Sequence, residues 1–213
     1  QLEGVERYRI SSIEPNLLTD DIIRFVATSK KFMPHFHIPL QSGSDSILQM
    51  MRRRYRTELY KNRIGFIKEL MPDACIGVDI IVGFPGESDE LFLETQQFLS
   101  ELPASYFHVF TYSERDNTTA LRIQDVVPME KRYERNKILR IMSEKKKRAF
   151  YEENLENSRP VLWESEQDEN MINGFTDNYI KVRIPWQNHL PNSITNVKLS
   201  AIDADCNATG TIL

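Results

Sequence analysis

Cysteine is scarce in this sequence of 213 residues, which contains only Cys75 and Cys206. Two widely separated thiols do not form a disulfide framework, and thiols in the cytosol are usually reduced. Long apolar runs are also missing, because a membrane-spanning helix needs about 18 or more consecutive apolar residues. The N-terminus lacks the charged and then apolar pattern of a secretory signal. We therefore expect no membrane association and a cytoplasmic location.

An excess of positive charge is absent too, since 27 Lys and Arg residues face 31 Asp and Glu residues, for a net charge of -4. Non-specific binding to nucleic acid depends on the neutralisation of phosphates by Lys and Arg. Any RNA-binding surface must therefore be local. The apolar fraction of 40% is that of an ordinary globular protein, whose length predicts one or two domains.

The chain begins at Gln1 and not at methionine, and a strand-like segment follows at residues 7–10. We expect that the chain was cut from a larger protein. A sheet that begins with this strand exposes an unpaired edge beside residues 8–12, which invites pairing with another chain. We therefore predict self-association.

The first 112 residues alternate β-rich runs with helical patterns, which indicates a parallel sheet covered by helices. We predict strands at residues 8–12, 35–40, 75–82 and 105–112. Helices are expected after Thr19, Ser44 and Ser88, which are residue types that cap helices, and over residues 57–70. Four strands and their crossovers make an incomplete α/β barrel.

A basic helix is predicted to begin after Pro128 and to end near Leu155. Its cations are concentrated in one element: Lys131, Arg132, Arg135, Lys137, Arg140, Lys145, Lys146, Lys147 and Arg148. In one interpretation this is a solvated face, with Ile138, Ile141, Met142 and Phe150 packed inward. In the other it is a stripe that faces RNA.

The apolar period changes after this helix, and alternating residues at 161–163, 179–184 and 194–199 predict β-strands. We predict two domains, with the partial α/β barrel at residues 1–155 and a small β domain at residues 156–213. The second domain is expected to have about five strands in an OB-like barrel.

Polar residues follow the predicted strands, at the end where α/β barrels carry their reactive groups. Asp79 interrupts an apolar strand, so its carboxylate is expected to meet either a ligand hydroxyl or a donor from a neighbouring loop. The segment 41–44 either holds an anionic group with its amides or caps the next helix. The glycines of segment 83–86 either admit a flat ligand or form a plain turn.

His35 and His37 alternate along one predicted strand and therefore share a face, and His108 lies on a later strand. Such histidines could share a metal ion, as in a barrel metallohydrolase. The sequence shows no adjacent Asp or Lys that completes such a site. We therefore assign no metal ligands and expect these histidines to pack or to form hydrogen bonds.

Three ordered motifs, at residues 9–15, 37–45 and 79–87, resemble those of the radical-SAM tRNA methylthiotransferases. The segment 110–120 is similar to the same family, and residues 159–213 resemble its C-terminal TRAM domain. The forms Ser-Ile-Glu-Pro and His-Ile-Pro-Leu-Gln-Ser-Gly-Ser suggest the MtaB-like branch.

This resemblance implies a radical-SAM α/β barrel, present here in part, followed by a TRAM barrel. It further implies a transferase that replaces the C2 hydrogen of N6-threonylcarbamoyladenosine, in the tRNA anticodon stem-loop, by a methylthio group. The intact enzyme is then expected to use S-adenosylmethionine and two [4Fe-4S] clusters.

Matching motifs assign cofactor-binding roles to residues of this chain. Glu14 and Arg53 would hold the amino and carboxylate ends of the methionine moiety, and Gln41 and Asp79 the ribose hydroxyls. The neighbouring residues assigned to the cofactor site are Ser12 and Ser42, with Val82, Gly83 and Phe84 near the adenine.

The family's radical cluster needs three cysteines spaced Cys-x3-Cys-x2-Cys, and a second cluster uses three more. Neither set is present, and Cys75 and Cys206 cannot replace them. We therefore assign no catalytic residue to this chain and expect it to be inactive alone. The alternatives are a stand-alone RNA-binding or assembly module and, as a third class, a metallohydrolase.

TRAM resemblance implies RNA binding, although the small domain is net acidic. An RNA-facing surface would require Arg159, Lys181, Arg183 and the basic helix. Aromatic side chains that could stack on a base are Tyr179, Phe175 and Trp163, although aromatic residues in small β domains are more often core.

Overall fold

The first unit of the protein is a parallel β-sheet with helices between its strands, in a computed structural model that describes residues 4–213. The strands lie side by side in chain order: β1 (Tyr8–Ile10), β2 (Phe32–His37), β3 (Cys75–Val82) and β4 (Tyr106–Thr111). The connecting helices are α1 (Asp20–Thr28), α2 (Asp45–Met50), α3 (Thr57–Leu70) and α4 (Asp89–Glu101). The prediction of a parallel α/β sheet is therefore confirmed.

Local signals place most of these elements. The hydroxyl groups of Thr19 and Ser88 accept hydrogen bonds from the first turns of α1 and α4, as expected for capping residues. Strand β2 is displaced from its predicted position, residues 35–40. It ends at His37 because Pro39 has no amide hydrogen for the ladder, and it begins at Phe32, where Pro34 obscures the pattern.

The two faces of the sheet differ. Ile76, Val78, Ile80 and Val82 of β3 are fully buried and pack with apolar residues of α1, α3, α4 and the helix described next. Successive side chains in a strand point to opposite faces. Asp79 and the other residues of odd number in β3 therefore lie on the second face, which we call the open face.

Helix α5 (Met129–Glu153) closes the outer edge of β4. The Ser143 hydroxyl bonds both the amide and the carbonyl of Phe107, and the Asn136 amide donates to the Val109 carbonyl at 3.0 Å. The expected inward position of Ile141 is wrong, since this side chain is 44% exposed. Arg132, Arg135 and Leu139 are buried instead, at the three- to four-residue spacing of one helical face.

The second unit is a closed barrel in the order β5-β6-β7-β9-β8. Its strands are β5 (Ser158–Asp168), β6 (Met171–Thr176), β7 (Lys181–Pro185), β8 (Ile194–Ile202) and β9 (Ala208–Ile212). Trp163 fills its interior at 1% exposure, and Gly174 is required beside it, because a Cβ there would lie 2.7 Å from the indole. The prediction of about five strands in a barrel is confirmed.

A buried polar network joins the two units. Arg159 at the start of β5 donates to Asp73 at 2.6 Å, to Asp177 at 3.2 Å and to Asn154 at 3.0 Å. Asn178 adds a hydrogen bond to the Asp73 carbonyl. Within residues 4–213 no helix is both long and apolar enough to cross a membrane. Strand β1 lies at the other sheet edge, and self-association there stays a prediction.

Candidate functional site

The open face carries polar and aromatic side chains instead of an aliphatic core. His35 and His37 of β2, Asp79 of β3 and His108 of β4 lie there with Tyr106. Gly77 allows the Tyr106 ring to lie flat across β3, because a Cβ would come within 2.5 Å of the phenol oxygen. Two clefts open on this face, one at each end of the strands.

The upper cleft lies at the carboxyl ends of the strands and consists of two adjoining cavities of about 510 and 370 Å³. Gln41 and Asp79 line the first cavity, and Arg53 and Phe84 line the second. Shared walls make the cavities neighbours: Ile81, Tyr112, Thr118 and Ala120 border both. Four residues assigned to the cofactor from the motifs therefore meet around one space.

Gln41 adopts a backbone conformation that is uncommon for a residue with a side chain, with φ of 76°. Its amide donates to the Asp79 carbonyl at 2.8 Å, and its carbonyl accepts from Ile81 at 2.9 Å. These bonds hold the residue against β3 in spite of the local strain. In this conformation, Gln41 and Asp79 both border the same cavity.

Asp79 also contacts two histidines of the open face. His37 Nε2 lies 2.8 Å from Asp79 Oδ1, and the His37 and His108 rings stack at 5.4 Å. The ligand atoms of all three residues lie within 4.8 Å of one another, so the expectation that no carboxylate accompanies these histidines is wrong. The His37–Asp79 distance is nevertheless that of a hydrogen bond, because two ligands of a tetrahedral Zn²⁺ ion lie roughly 3.3 Å apart.

Glu14 and Arg53 approach each other beside the upper cleft, with 4.0 Å between Oε1 and Nη1. Two polar atoms at this site have no hydrogen-bond partner within the described residues, namely Arg53 Nε and the Tyr112 hydroxyl. A buried polar atom without a partner costs free energy. These atoms therefore fit a polar ligand in the cleft, such as the zwitterionic methionine moiety of S-adenosylmethionine.

The remaining motif residues differ in their accessibility. Ser42 is fully buried, and its hydroxyl bonds Thr95 and the Ser44 amide, which removes the side chain from direct cofactor contact. Val82 is also fully buried, and the Gly83 amide donates to Glu87 at 2.6 Å. Ser12 is exposed. That Ser12 and Ser42 neighbour the cofactor, and that the backbone of residues 82–84 lies near the adenine, stay predictions.

Two buried arginines of α5, which the motifs did not reveal, support the upper cleft. Arg135 pairs with Glu87 at 2.6 Å, with both side chains at 3% exposure or less. Arg132 donates to the Tyr112 carbonyl at 2.8 Å and pairs with Glu114. Burial raises the pKa of Glu87, while its bonds to Gly83 and Arg135 act in the opposite direction. The helix therefore fixes the loop after β3 and the end of β4.

Most of the predicted RNA-facing residues are already engaged. Arg159 is 8% exposed and bound to two carboxylates, and Arg183 pairs with Asp168 and Glu169. Trp163 is buried in the barrel. Of the predicted cations of the small domain, Lys181 alone lacks an ion pair within residues 4–213.

Tyr179 offers no free ring face to a base. Phe175 stacks on it at 4.8 Å, and the Arg9 guanidinium lies 4.1 Å from the ring centre. The His35 ring also lies 4.5 Å from the Tyr179 ring, so three groups surround it. Tyr179 therefore serves the junction between the sheet and the barrel, and its predicted stacking role is corrected.

The lower cleft lies at this junction, at the amino ends of the strands, with a volume of about 400 Å³. His35 lines it, and burial with nearby Arg9 lowers its pKa to about 3, so the ring is neutral near pH 7. Burial raises the pKa of Cys75 to about 12. A protonated Cys75 and Cys206 together provide two sulfur atoms, which do not fit the three-cysteine ligand set of an iron–sulfur cluster.

Comparison with known proteins agrees with these features. A profile of the radical SAM superfamily matches residues 2–99. Threonylcarbamoyladenosine tRNA methylthiotransferase MtaB of Bacillus subtilis is 39% identical over 203 residues, which are 93% of this chain and 45% of that protein. MtaB of Aquifex aeolicus is 39% identical over 183 residues, with coverage of 86% and 43%.

A tRNA-2-methylthio-N(6)-dimethylallyladenosine synthase of Thermobifida fusca is 44% identical over 138 residues, covering 63% of this chain and 28% of that protein. Among solved structures, coproporphyrinogen III oxidase of Escherichia coli, described as a radical SAM enzyme, matches with a TM-score of 0.49 and 17% identity. This match covers 69% of this chain and 32% of that chain. The chain spans less than half the length of the curated relatives. From the superfamily profile and the sequence identities, the chain belongs to the MtaB-like radical-SAM methylthiotransferase family.

Proposed function

We propose that this chain forms part of an enzyme that methylthiolates C2 of N6-threonylcarbamoyladenosine beside the anticodon of tRNA. One observation carries the proposal: Glu14, Gln41, Arg53 and Asp79 gather around the upper cleft at the carboxyl ends of parallel strands. Their motifs are those of a family whose named relatives act on this nucleoside. The other named substrate among the relatives is the dimethylallyl adenosine.

The residues of the upper cleft suit each part of S-adenosylmethionine. Arg53 would bind the carboxylate, Glu14 the ammonium group, and Gln41 with Asp79 the two ribose hydroxyls. His37 occupies one oxygen of Asp79 and so would fix the direction in which the other oxygen accepts. Phe84, at 7% exposure, would provide an apolar wall for the adenine.

The cofactor, when bound, supplies the methyl group and the radical chemistry of the proposed reaction. The intact enzyme would also use two [4Fe-4S] clusters, whose ligands these 213 residues do not include. The isolated chain would therefore bind and orient but would not perform the radical step. We propose that its closed five-stranded barrel is a TRAM domain, which would contact the tRNA anticodon stem-loop.

Nucleoside mass spectrometry tests the proposal. Deletion of the gene that encodes this chain should abolish 2-methylthio-N6-threonylcarbamoyladenosine in cellular tRNA and leave its unthiolated precursor. The wild-type gene should restore the modification, and a gene with Asp79→Ala should not. If the modification persisted after deletion, or if the dimethylallyl derivative disappeared instead, the assigned substrate would be wrong.

A stand-alone RNA-binding or assembly module is the second candidate function. The observation that favours it is the missing cluster ligands. It predicts that the deletion leaves all methylthio nucleosides unchanged while the chain still binds RNA. The same two measurements therefore separate the two candidates.

A further inference from the structure

The lower cleft is lined by cations from three parts of the chain. Arg9, Lys147 and Lys181 line it, and none of the described residues that line it is Asp or Glu. This grouping occurs in a chain whose net charge is -4. Three cations without a compensating carboxylate make a local site for an anion.

These three cations also differ from the other inward-facing ones. Arg132, Arg135 and Arg159 are each paired with a carboxylate. Within residues 4–213, the cations of the lower cleft form no ion pair. Arg9 lies over the Tyr179 ring and Lys147 lies 5.3 Å from the Tyr151 ring centre, so both contact aromatic rings instead.

Lys147 and Lys181 are both partly enclosed by the residues around them. The Lys181 amide donates to the Tyr151 hydroxyl at 2.9 Å, which joins β7 to α5 at the wall of the cleft. Lys147 and Lys181 are each half-buried. The sheet, α5 and the barrel therefore all contribute to one preformed cleft.

The floor of the cleft combines flat rings with an unused polar atom. Tyr106 and His108 pack edge to face at 5.2 Å, and His108 is exposed. His35 is 2% exposed, and its Nδ1 has no hydrogen-bond partner within the described residues. A ring that is neutral near pH 7 and already bonded at Nε2 to Tyr106 can offer Nδ1 to a ligand hydroxyl.

We propose that the lower cleft binds one nucleotide of a single-stranded RNA segment. Its phosphate contacts Arg9, Lys147 and Lys181, its base lies against the rings of Tyr106 and His108, and its ribose 2′-hydroxyl bonds His35. The volume of about 400 Å³ lies within the range of about 300–1,000 Å³ usual for ligand pockets. The 2′-hydroxyl contact distinguishes RNA from DNA. This inference rests on the proposed function, which supplies RNA as the substrate class.

Fluorescence anisotropy with a labelled anticodon stem-loop RNA tests the three cations in the full 213-residue chain. The combined variant Arg9→Gln, Lys147→Gln, Lys181→Gln should raise the Kd at least tenfold at low salt. Loss of the contacts to one phosphate of a single strand should also reduce the slope of log Kd against log salt by about 0.7. A matched control, Arg24→Gln, Lys30→Gln, Lys61→Gln, changes one exposed arginine and two exposed lysines outside α5 and alters the net charge by the same amount. It should leave the slope unchanged.

An equal loss in the control variant would overturn the proposal, as would a wild-type chain that does not bind the RNA. A second measurement needs no variant: 4-thiouridine in the loop should crosslink to the peptides that contain Tyr106 or His108, and the DNA counterpart should bind more weakly. Crosslinks confined to other peptides would place the RNA elsewhere. These assays contain no S-adenosylmethionine, so their failure is distinguishable from failure of the nucleoside assay.

Discussion

The upper and lower clefts lie at opposite ends of the same strands, yet they present different charges. Around the upper cleft, Glu14 and Asp79 stand beside Arg53, so both signs are present. The lower cleft is lined by three cations, and none of its lining residues within the described part of the chain is Asp or Glu. A balanced site suits a zwitterion, whereas an unbalanced one suits a polyanion. Under the two proposals above, one face of the sheet would hold a small cofactor and an RNA strand without competition between them.

The largest expected effect concerns the buried ion pair between Arg135 and Glu87, which holds the loop beside the upper cleft. Arg135→Ala leaves Glu87 as an unpaired buried charge and should lower the free energy of unfolding by about 3–5 kcal/mol. Urea unfolding measures this loss. The control is Arg148→Ala, which removes an exposed pair with Glu152 and should cost at most about 0.5 kcal/mol. A loss below about 1 kcal/mol for Arg135→Ala would show that the buried pair is not what holds this loop.

The next prediction tests whether the upper and lower clefts bind their ligands independently. Asp79→Asn removes a charged acceptor for a ribose hydroxyl, so the Kd for S-adenosylmethionine should rise about 10- to 150-fold. Isothermal titration calorimetry on the chain measures it, with the exposed Asp21→Asn as control. RNA affinity should stay unchanged in this variant. The triple cation variant should show the opposite behaviour, and a parallel loss of both ligands would mean a single shared site.

The smallest effect concerns pH and belongs to the lower cleft. The pKa of His35 is lowered to about 3 from an ordinary value near 6.5, so the unfolded chain binds a proton more readily. The contribution of His35 to stability is therefore complete above pH 6.5 and decreases as the pH falls toward 3. The expected slope is up to about 1.4 kcal/mol per pH unit.

Comparison of the wild type with His35→Asn isolates this slope from that of the other titrating groups. Urea unfolding at intervals between pH 7 and pH 4 should give a difference that shrinks with decreasing pH. Gln187→Asn, which changes no titratable group at an exposed position, is the control and should show no such trend. If the difference did not depend on pH, His35 would titrate normally in the folded chain.

The elements of the sheet could be predicted because their signals are local. Strand β3 and helix α3 have the bounds that the sequence indicates, since apolar spacing and capping residues act over a few positions. The two strands with no predicted range, β6 and β9, are short and contain glycine. Glycine weakens the alternation on which strand prediction depends.

The site was predictable only where motif residues lie near the ends of strands, as Gln41 and Asp79 do. The partners of Arg132, Arg135 and Arg159 are set by long-range packing. The pattern of a basic helix therefore does not indicate that Arg132 and Arg135 are buried. Tyr179 illustrates the same limit, because the residue that covers one of its faces, Arg9, lies 170 positions earlier. Charge counts along a chain do not reveal which cations are already neutralised.

Helix α5 covers the outer edge of β4 and so affects where a further strand could join the sheet. Ser143 and Asn136 act as substitute strand neighbours, since they bond the amide and carbonyl of Phe107 and the carbonyl of Val109. Because these bonds occupy part of the β4 edge, a further strand would pair more readily next to β1. Helix α5 therefore makes the two edges of the sheet unequal, and extension of the sheet toward a closed barrel would begin at the β1 edge.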